Sequence, residues 1–279
     1  MKQLLPIFLL TLNVLVVKAQ LPEPPKGYHW EKNSEFSDEF NEAQLDNTKW
    51  YDRSPYWVHG RPPATFRASA VSVQNGMLQI KNQPLVPKDE KYHIAGGAVA
   101  SVSKQALFGY YEVRMKASGI SKSSTFWLKN MPERPDCPRE QQELDIVEAV
   151  GMKKRGYDFN NYMKSNSHIF RWDCDGKKTV LSEGGQCEIV PPASEAFHNY
   201  ACWWVDENTL KFYLDGEHKF TVHPKKPFDR PMYMHLVTET YNWEDPPTTE
   251  ELTNDAINTT YYDWIRSYKL VKDVSDSED

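Results

Sequence analysis

Three carboxylates interrupt an apolar run at positions 143–148, which reads Glu143-Leu144-Asp145-Ile146-Val147-Glu148. Side chains alternate between the two faces of a strand, so Glu143 and Asp145 share one face and regular alternation would place Glu148 on the other. One extra residue, a β-bulge, returns Glu148 to the face of the first two acids, and such bulges are frequent beside active sites. The spacing therefore predicts a bulged strand that presents three acids on one face.

The acidic triplet has a structural and a catalytic interpretation. An exposed edge strand, or half of a cation site, would also carry clustered carboxylates. The apolar residues between the acids argue against exposure, because such a strand needs both faces covered. Two glutamates on one face suit glycoside hydrolysis, in which one carboxyl group protonates the leaving oxygen and the other attacks or activates water. Asp145 can hydrogen-bond one glutamate and help to hold the other protonated.

Turn residues separate short alternating segments along most of the chain. Asn75-Gly76 and Asp215-Gly216 each follow a strand-like segment and precede another, which predicts two hairpins. Further strands are predicted over 110–116, 232–239 and 261–270, and the sequence lacks a long amphipathic helical pattern. This pattern predicts an all-β fold, a sandwich of two antiparallel sheets.

The amino-terminal segment and the net charge limit where the protein can be located and which partners it can bind. Residues 1–19 read as a secretory signal peptide whose apolar run is shorter than the roughly 20 residues of a membrane span. We therefore expect a secreted or periplasmic protein without a membrane span, with one catalytic domain over 20–272 and an acidic, frayed tail over 273–279. The net charge of -6 argues against a nucleic-acid partner, so an anionic substrate would have to meet local arginines.

The four cysteines allow three disulfide pairings, and an exported protein permits disulfides. Cys174 and Cys187 flank turn-forming glycines, so the spacing favours a loop clip between them. Cys202 stands in an aromatic strand and is expected to behave as a buried apolar residue.

The acidic stretch resembles the E-x-D-x-x-E signature of glycoside hydrolase family 16 in its bulged form. Other segments follow in matching order over nearly the whole mature chain: FSDEF at 36–40, LDNTKW at 45–50, GYYEVRMK at 109–116, STFW at 124–127, FHNY at 197–200 and FYLDG at 212–216. Four segments are most similar to the β-porphyranases, which are related to agarases and carrageenases: WVHGR at 57–61, NSH at 166–168, ETYNW at 239–243 and YYDWIR at 261–266.

The resemblance implies a β-jelly-roll with an open concave cleft and a secreted, endo-acting, retaining hydrolase of β-1,4 linkages in porphyran, a sulfated red-algal galactan. It implies that Glu143 is the nucleophile and Glu148 the acid/base. The two side chains can converge over Asp145 to the roughly 5–5.5 Å that retention requires. A β-agarase on neutral agarose, a κ-carrageenase and a non-catalytic carbohydrate-binding sandwich are the alternatives. We expect a monomer with a polysaccharide substrate and no catalytic cofactor.

The resemblance also identifies candidate binding positions. Those expected to contact substrate are Trp57, Arg61, Trp127, His168, Glu239 and Trp243. Trp57 and Arg61 lie in a loop bounded by proline and glycine, where Arg61 is expected to meet a sulfate group. Trp127 and His168 have structural alternatives, as sandwich core and as a hydrogen-bonded framework histidine. The positions that match a structural calcium site in the family are Glu39, the Gly76 carbonyl and Asp263.

Overall fold

The computed structural model describes residues 21–88, 90–131 and 137–274. The predicted signal peptide and residues 275–279 of the predicted tail lie outside the described residues. In the described ranges, no helix has the length and apolar character needed to cross a membrane.

Strands dominate the described residues, accompanied by one short helix, α1 (Thr249–Thr253), and two single 3₁₀ turns at Ser34–Phe36 and Ala68–Ala70. In chain order the strands are β1 (Tyr28–Lys32), β2 (Trp50–Tyr51), β3 (Ala64–Phe66), β4 (Val71–Gln74), β5 (Met77–Lys81), β6 (Gln83–Pro84), β7 (Ile94–Gly96), β8 (Ala98–Ser101), β9 (Gly109–Lys116), β10 (Ser123–Lys129), β11 (Arg139–Val150), β12 (Tyr162–Trp172), β13 (Lys178–Glu188), β14 (His198–Asp206), β15 (Thr209–Leu214), β16 (Glu217–Val222), β17 (Tyr233–Val237) and β18 (Thr259–Lys272).

Two large antiparallel sheets form the body of the protein. One sheet has the order β16-β15-β14-β9-β18-β5-β4, with β1 paired to β18, and the other has the order β13-β12-β11-β10-β17-β8-β2. Their facing sides share one core, to which β9 contributes Val113 and β11 contributes Leu144 and Ile146, all fully buried. The prediction of an all-β sandwich is confirmed. A small third sheet, β3-β7-β6, adds one parallel pair.

Both predicted hairpins are confirmed. Asn75 and Gly76 connect β4 to β5 with φ values of 55° and 71°, and Asp215 and Gly216 connect β15 to β16 with 53° and 83°. These left-handed conformations are the ones that a two-residue hairpin turn requires, which explains the Asn-Gly and Asp-Gly pairs.

The predicted pairing of Cys174 with Cys187 is wrong, because the disulfide joins Cys137 to Cys174. It connects the segment before β11 to the turn between β12 and β13. Cys187 lies within β13 and is free. Sequence spacing suggested a local clip, whereas the long β11–β12 pairing brings the distant Cys137 beside the turn. Cys202 is free and fully buried, as predicted.

Candidate active site

The predicted bulge in β11 is confirmed. Asp145 pairs with Asn166 of β12 and Glu148 pairs with Lys164, so Ile146 and Val147 lie opposite a single β12 residue. Residues directly opposite each other in a sheet share a face, and Asn166 and Lys164 are two positions apart. The bulge therefore returns Glu148 to the face that carries Glu143 and Asp145.

This face of the seven-stranded sheet forms the floor of a cleft of about 630 Å³. All three acids line it, as do the predicted binding residues Trp57, Arg61, Trp127 and Glu239. β10 crosses beside the acids, with Thr125, Trp127 and Lys129 opposite Glu148, Asp145 and Glu143 respectively. The opposite face of the same strands belongs to the core, so the sheet holds the acids on a rigid support.

Glu143 is paired with a lysine that the sequence analysis did not single out. Lys129 Nζ donates to Glu143 Oε2 over 2.6 Å, and both side chains are largely buried. Burial and the charge of Asp145 raise the pKa of Glu143, while the Lys129 ammonium acts in the opposite direction. The ion pair thus favours the ionised form of Glu143 relative to the same group without it.

Glu148 has a different environment. Its Oε1 accepts a hydrogen bond of 2.7 Å from the Tyr241 hydroxyl, and no ion pair to Glu148 is found among the described residues. Burial, followed by the charge of Asp145, raises the pKa of Glu148 to about 8; the Tyr241 hydrogen bond lowers it in part. At neutral pH, Glu148 therefore holds a proton that it can donate.

Asp145 lies between the two glutamates and contacts His168, whose Nε2 is 3.1 Å from Asp145 Oδ2. His168 Nδ1 is 2.6 Å from the Ser182 hydroxyl of β13, so both ring nitrogens are engaged. Burial alone would lower the pKa of His168, but the hydrogen bond and charge of Asp145 raise it overall. His168 is therefore placed to orient Asp145, and its predicted contact with substrate stays a prediction.

The carboxylate oxygens of Glu143 and Asp145 and a ring nitrogen of His168 lie within 4.8 Å of one another, a spacing that would also allow them to bind a metal ion. The Lys129 ammonium already provides a positive charge at Glu143. We therefore interpret this group as an ion-paired hydrogen-bond network.

Trp57 and Trp127 form an aromatic wall of the cleft, with ring centroids 6.5 Å apart and planes at 71°. Trp127 stacks on His235 of β17 at 4.3 Å, and Tyr56 Oη lies 2.5 Å from His235 Nε2. Burial lowers the pKa of His235 to about 3, so the imidazole is neutral and serves as an uncharged support behind Trp127. Aromatic faces of this kind are suitable platforms for sugar rings.

Arg61 lines the cleft and contacts a neighbouring carboxylate, so its predicted contact with substrate stays a prediction. Its Nη1 lies 3.1 Å from Glu239 Oε2 and also donates to the Thr240 carbonyl over 3.3 Å. Glu239 Oε2 has no aligned hydrogen bond, so its contact with Arg61 is an ion pair only. Burial raises the pKa of Glu239 to about 8, an effect that Arg61 and the buried Lys122 oppose.

Trp243 lies one layer behind the cleft wall. Its ring stacks on Tyr241 with a centroid distance of 4.5 Å and an interplanar angle of 17°, and it meets Phe159 edge-on. Tyr241, rather than Trp243, presents its side chain to Glu148. The expected contact between Trp243 and substrate stays a prediction, and the observed geometry makes Trp243 a support for Tyr241.

The two carboxylates among the expected calcium ligands are engaged with cationic side chains, whereas the third expected ligand, the Gly76 carbonyl, lies in the turn between β4 and β5. Glu39 accepts two hydrogen bonds from Arg266, at 3.0 and 2.9 Å, and contacts Lys32 at 3.1 Å. Asp263 accepts from Arg114 at 2.8 Å. Because these partners already neutralise the carboxylates, the arrangement does not suit a calcium ion.

Simple alternation could have identified the residues that the sequence analysis missed. Lys129 is two residues beyond Trp127, and Tyr241 is two residues beyond Glu239. Phe170, which also lines the cleft, is two residues beyond His168. For Lys129 in β10 and Phe170 in β12, the strand carries the next same-facing side chain along the cleft, whereas Glu239 and Tyr241 lie just beyond the end of β17.

Comparisons with known proteins agree with this geometry. Residues 30–270 match the family described as "Beta-porphyranase A-D, GH16 domain". The chain is 65% identical over 253 residues to β-porphyranase E of Zobellia galactanivorans, covering 88% of this chain and 90% of that protein. The crystal structure of a β-porphyranase from the human gut bacterium Bacteroides plebeius matches with a TM-score of 0.85 and 45% identity, over 90% of this chain and 95% of that chain. Porphyranase B of Zobellia galactanivorans matches with a TM-score of 0.81 and 36% identity, over 91% and 97% of the two chains. The sandwich is therefore a family 16 jelly-roll, and the chain belongs to the β-porphyranase A–D group of glycoside hydrolase family 16.

Proposed function

We propose that this protein is a secreted, endo-acting, retaining β-porphyranase that cleaves β-1,4 linkages in porphyran. The names of the relatives support the substrate class. The observation that carries the mechanism is the unequal environment of the two glutamates. Glu143 contacts the Lys129 ammonium, whereas Glu148 has a pKa of about 8 and contacts a neutral phenol.

In the proposed first step, Glu148 donates its proton to the leaving glycosidic oxygen while ionised Glu143 attacks the anomeric carbon. The C–O bond to the leaving sugar breaks as the bond to Glu143 forms. In the second step, Glu148, now ionised, takes a proton from water, and the water oxygen displaces Glu143. Two displacements at one carbon retain its configuration. Asp145 supports the proton on Glu148 by its charge, and all of these groups belong to the chain, so no catalytic cofactor takes part.

Purified protein incubated with porphyran, agarose, κ-carrageenan and laminarin should release reducing ends fastest from porphyran. Proton NMR of the first product should show the β-anomer before mutarotation. An initial α-anomer would contradict retention, and faster release from agarose would assign a β-agarase instead. Binding of porphyran without any turnover would favour a non-catalytic carbohydrate-binding sandwich.

The contact of Arg61 Nη1 with Glu239 is the observation that favours a neutral substrate, because it occupies part of the guanidinium that the loop offers to a sulfate group. The comparison of cleavage rates on porphyran and agarose therefore tests which polymer is the substrate, which membership of the family alone does not decide.

Export rests on the leader-like residues 1–19. Amino-terminal sequencing of protein from the medium or periplasm of the producing cell should find a start at Gln20. A mature protein that retains residues 1–19 would contradict the proposed signal peptide.

A further inference from the structure

Beyond Glu143, the cleft floor continues as a ladder of aromatic rings on β12. His168, Phe170 and Trp172 alternate with Ile169 and Arg171, which face the other side of the strand, and their successive centroids are 5.8 and 6.3 Å apart. Trp172 pairs with Arg139 of β11 and with Lys178 of β13, so these three residues form one row across the sheet. We call Arg139, Phe170, Trp172 and Lys178 the distal patch. At about 3.3 Å per residue, its outer row lies roughly 13 Å along β12 from the row that contains Glu143 and His168.

Two cations of the distal patch lie over its rings. The Arg139 guanidinium is 4.1 Å from the Trp172 centroid, and Lys178 Nζ is 4.7 Å from the Phe170 centroid and 5.3 Å from that of Trp172. Cation–π contacts of this kind hold the cations close to the aromatic surface. Lys178 is solvent-exposed and both rings are half-buried; Lys178 and Phe170 line the cleft, so a ligand there can reach this cation and ring.

These cations differ from the others in the cleft because no carboxylate neutralises them within the described ranges. Arg61 is paired with Glu239, and Lys129 is paired with Glu143. Arg139 Nε is buried and has no hydrogen-bond partner among the residues that the structure describes. In a chain of net charge -6, two cations without a carboxylate partner beside half-buried aromatic rings indicate a place for an anionic group.

We propose that the distal patch is a subsite for a sulfated sugar residue of the bound polysaccharide. This inference rests on the proposed function and assigns the sulfate to the patch rather than to Arg61. The sulfate ester accepts hydrogen bonds from the Lys178 ammonium and the Arg139 guanidinium, whose planar donors match paired oxygens. The aromatic ladder supports the sugar ring that carries the ester.

The test compares purified porphyran oligosaccharides, long enough to span the cleft, with the same oligosaccharides after chemical desulfation. Lys178→Met should lower kcat/KM on the sulfated set by about tenfold, mainly through KM, because the patch is remote from the reacting carbon. It should leave the desulfated set unchanged, and Lys178→Arg should retain wild-type values. The matched control is Lys211→Met, since Lys211 lies 4.8 Å from the Trp203 ring on the other sheet and should affect neither set.

Binding calorimetry with the inactive Glu143→Ala protein provides a second readout that does not depend on turnover. There, Lys178→Met should weaken binding of the sulfated oligosaccharide by a similar factor and leave the desulfated one unaffected. Equal losses on both ligands, or none on either, would overturn the subsite. Absence of porphyran cleavage by the wild-type protein would refute the proposed function, whereas selective weakening in calorimetry would still support the patch.

Discussion

Glu143 and Glu148 have the same side chain, and their different neighbours give the two carboxyl groups different tendencies to ionise. Lys129 contacts Glu143 at 2.6 Å, and Tyr241 donates to Glu148 at 2.7 Å. A cation stabilises an ionised carboxylate far more than a neutral donor does in a buried site. The proposed division of labour between nucleophile and acid therefore depends on two residues that are themselves not reacting groups.

Tyr241→Phe removes the hydroxyl that stabilises ionised Glu148. The pKa of Glu148 should then rise above its value of about 8, because the ionised form loses its donor. Since the acid works only while protonated, the basic limb of the kcat/KM profile should move to higher pH, by roughly one unit for one charge-assisted hydrogen bond. Tyr157→Phe, at the exposed ring nearby, is the control that should leave the limb in place. If the basic limb stays at the wild-type pH in Tyr241→Phe, then Tyr241 does not affect the pKa of Glu148.

Asp145→Asn should act in the opposite direction. The charge of Asp145 raises the pKa of Glu148, so its removal should lower that pKa and move the basic limb to lower pH. The maximum rate should fall as well, because His168 loses its carboxylate partner. The pH profile of kcat/KM measures both effects. If the limb does not move, Asp145 does not tune the acid.

The bulge in β11 receives one side-chain hydrogen bond from the neighbouring strand. The Ser165 hydroxyl of β12 donates to the carbonyl of Ile146, the inserted residue, over 2.7 Å. Ser165 is fully buried, so water does not compete for this carbonyl. The contact satisfies a backbone group that the interrupted ladder would leave without a strand partner.

Ser165→Ala should lower the free energy of unfolding by about 1–3 kcal/mol, the cost of leaving a buried acceptor unpaired. It should also reduce kcat, because the bulge aims Glu148. Ser167→Ala is the matched control, since its buried hydroxyl donates to the Glu183 carbonyl and not to the bulge. Urea unfolding and steady-state kinetics should show a stability loss in both variants and a kcat loss only in Ser165→Ala. A normal kcat in Ser165→Ala would mean that the bulge holds its shape without this bond.

At the scale of the whole molecule, burial of several carboxylates in the cleft is electrostatically unfavourable, and the hydrophobic core offsets this cost. Burial raises the pKa of Glu148 to about 8 and raises that of Glu143 as well, so ionising these buried carboxylates in the folded state is costly. One continuous core between the two sheets stabilises the strands that carry them. Aromatic and charged groups can thus be concentrated on the cleft face of the seven-stranded sheet while the protein remains folded.

Stability should consequently depend on pH. Between about pH 5 and pH 8, the folded protein keeps a proton on Glu148 that the unfolded chain releases, so its stability should fall as pH rises. Other groups titrate in this window, and Glu148→Gln isolates one of them because glutamine does not ionise. The urea midpoint should decline less steeply in Glu148→Gln than in the wild type. Glu217→Gln, whose side chain is 76% exposed, should keep the wild-type slope. Equal slopes in wild type and Glu148→Gln would place the Glu148 pKa near its ordinary value.

The local patterns of this sequence were sufficient for the sandwich, the two hairpins and the bulge that aligns Glu143, Asp145 and Glu148. Alternation of side chains and left-handed turn residues are properties of a few consecutive positions, so they can be read without knowing which strands become neighbours. Lys129 and Tyr241 could have been found by extending the same alternation. Their pairing with Glu143 and Glu148 could not have been predicted in this way, because the register between strands depends on the whole sheet.

Three features were decided by the packing of distant segments. The disulfide of Cys137 with Cys174, the pairing of Arg61 with Glu239, and the cations of the distal patch each join residues from different strands or loops. Charges and thiols interact through space over a few ångströms, and sequence separation does not report that distance. The candidate catalytic acids could therefore be identified from one strand, whereas the pairing of cations with carboxylates was set when the strands assembled.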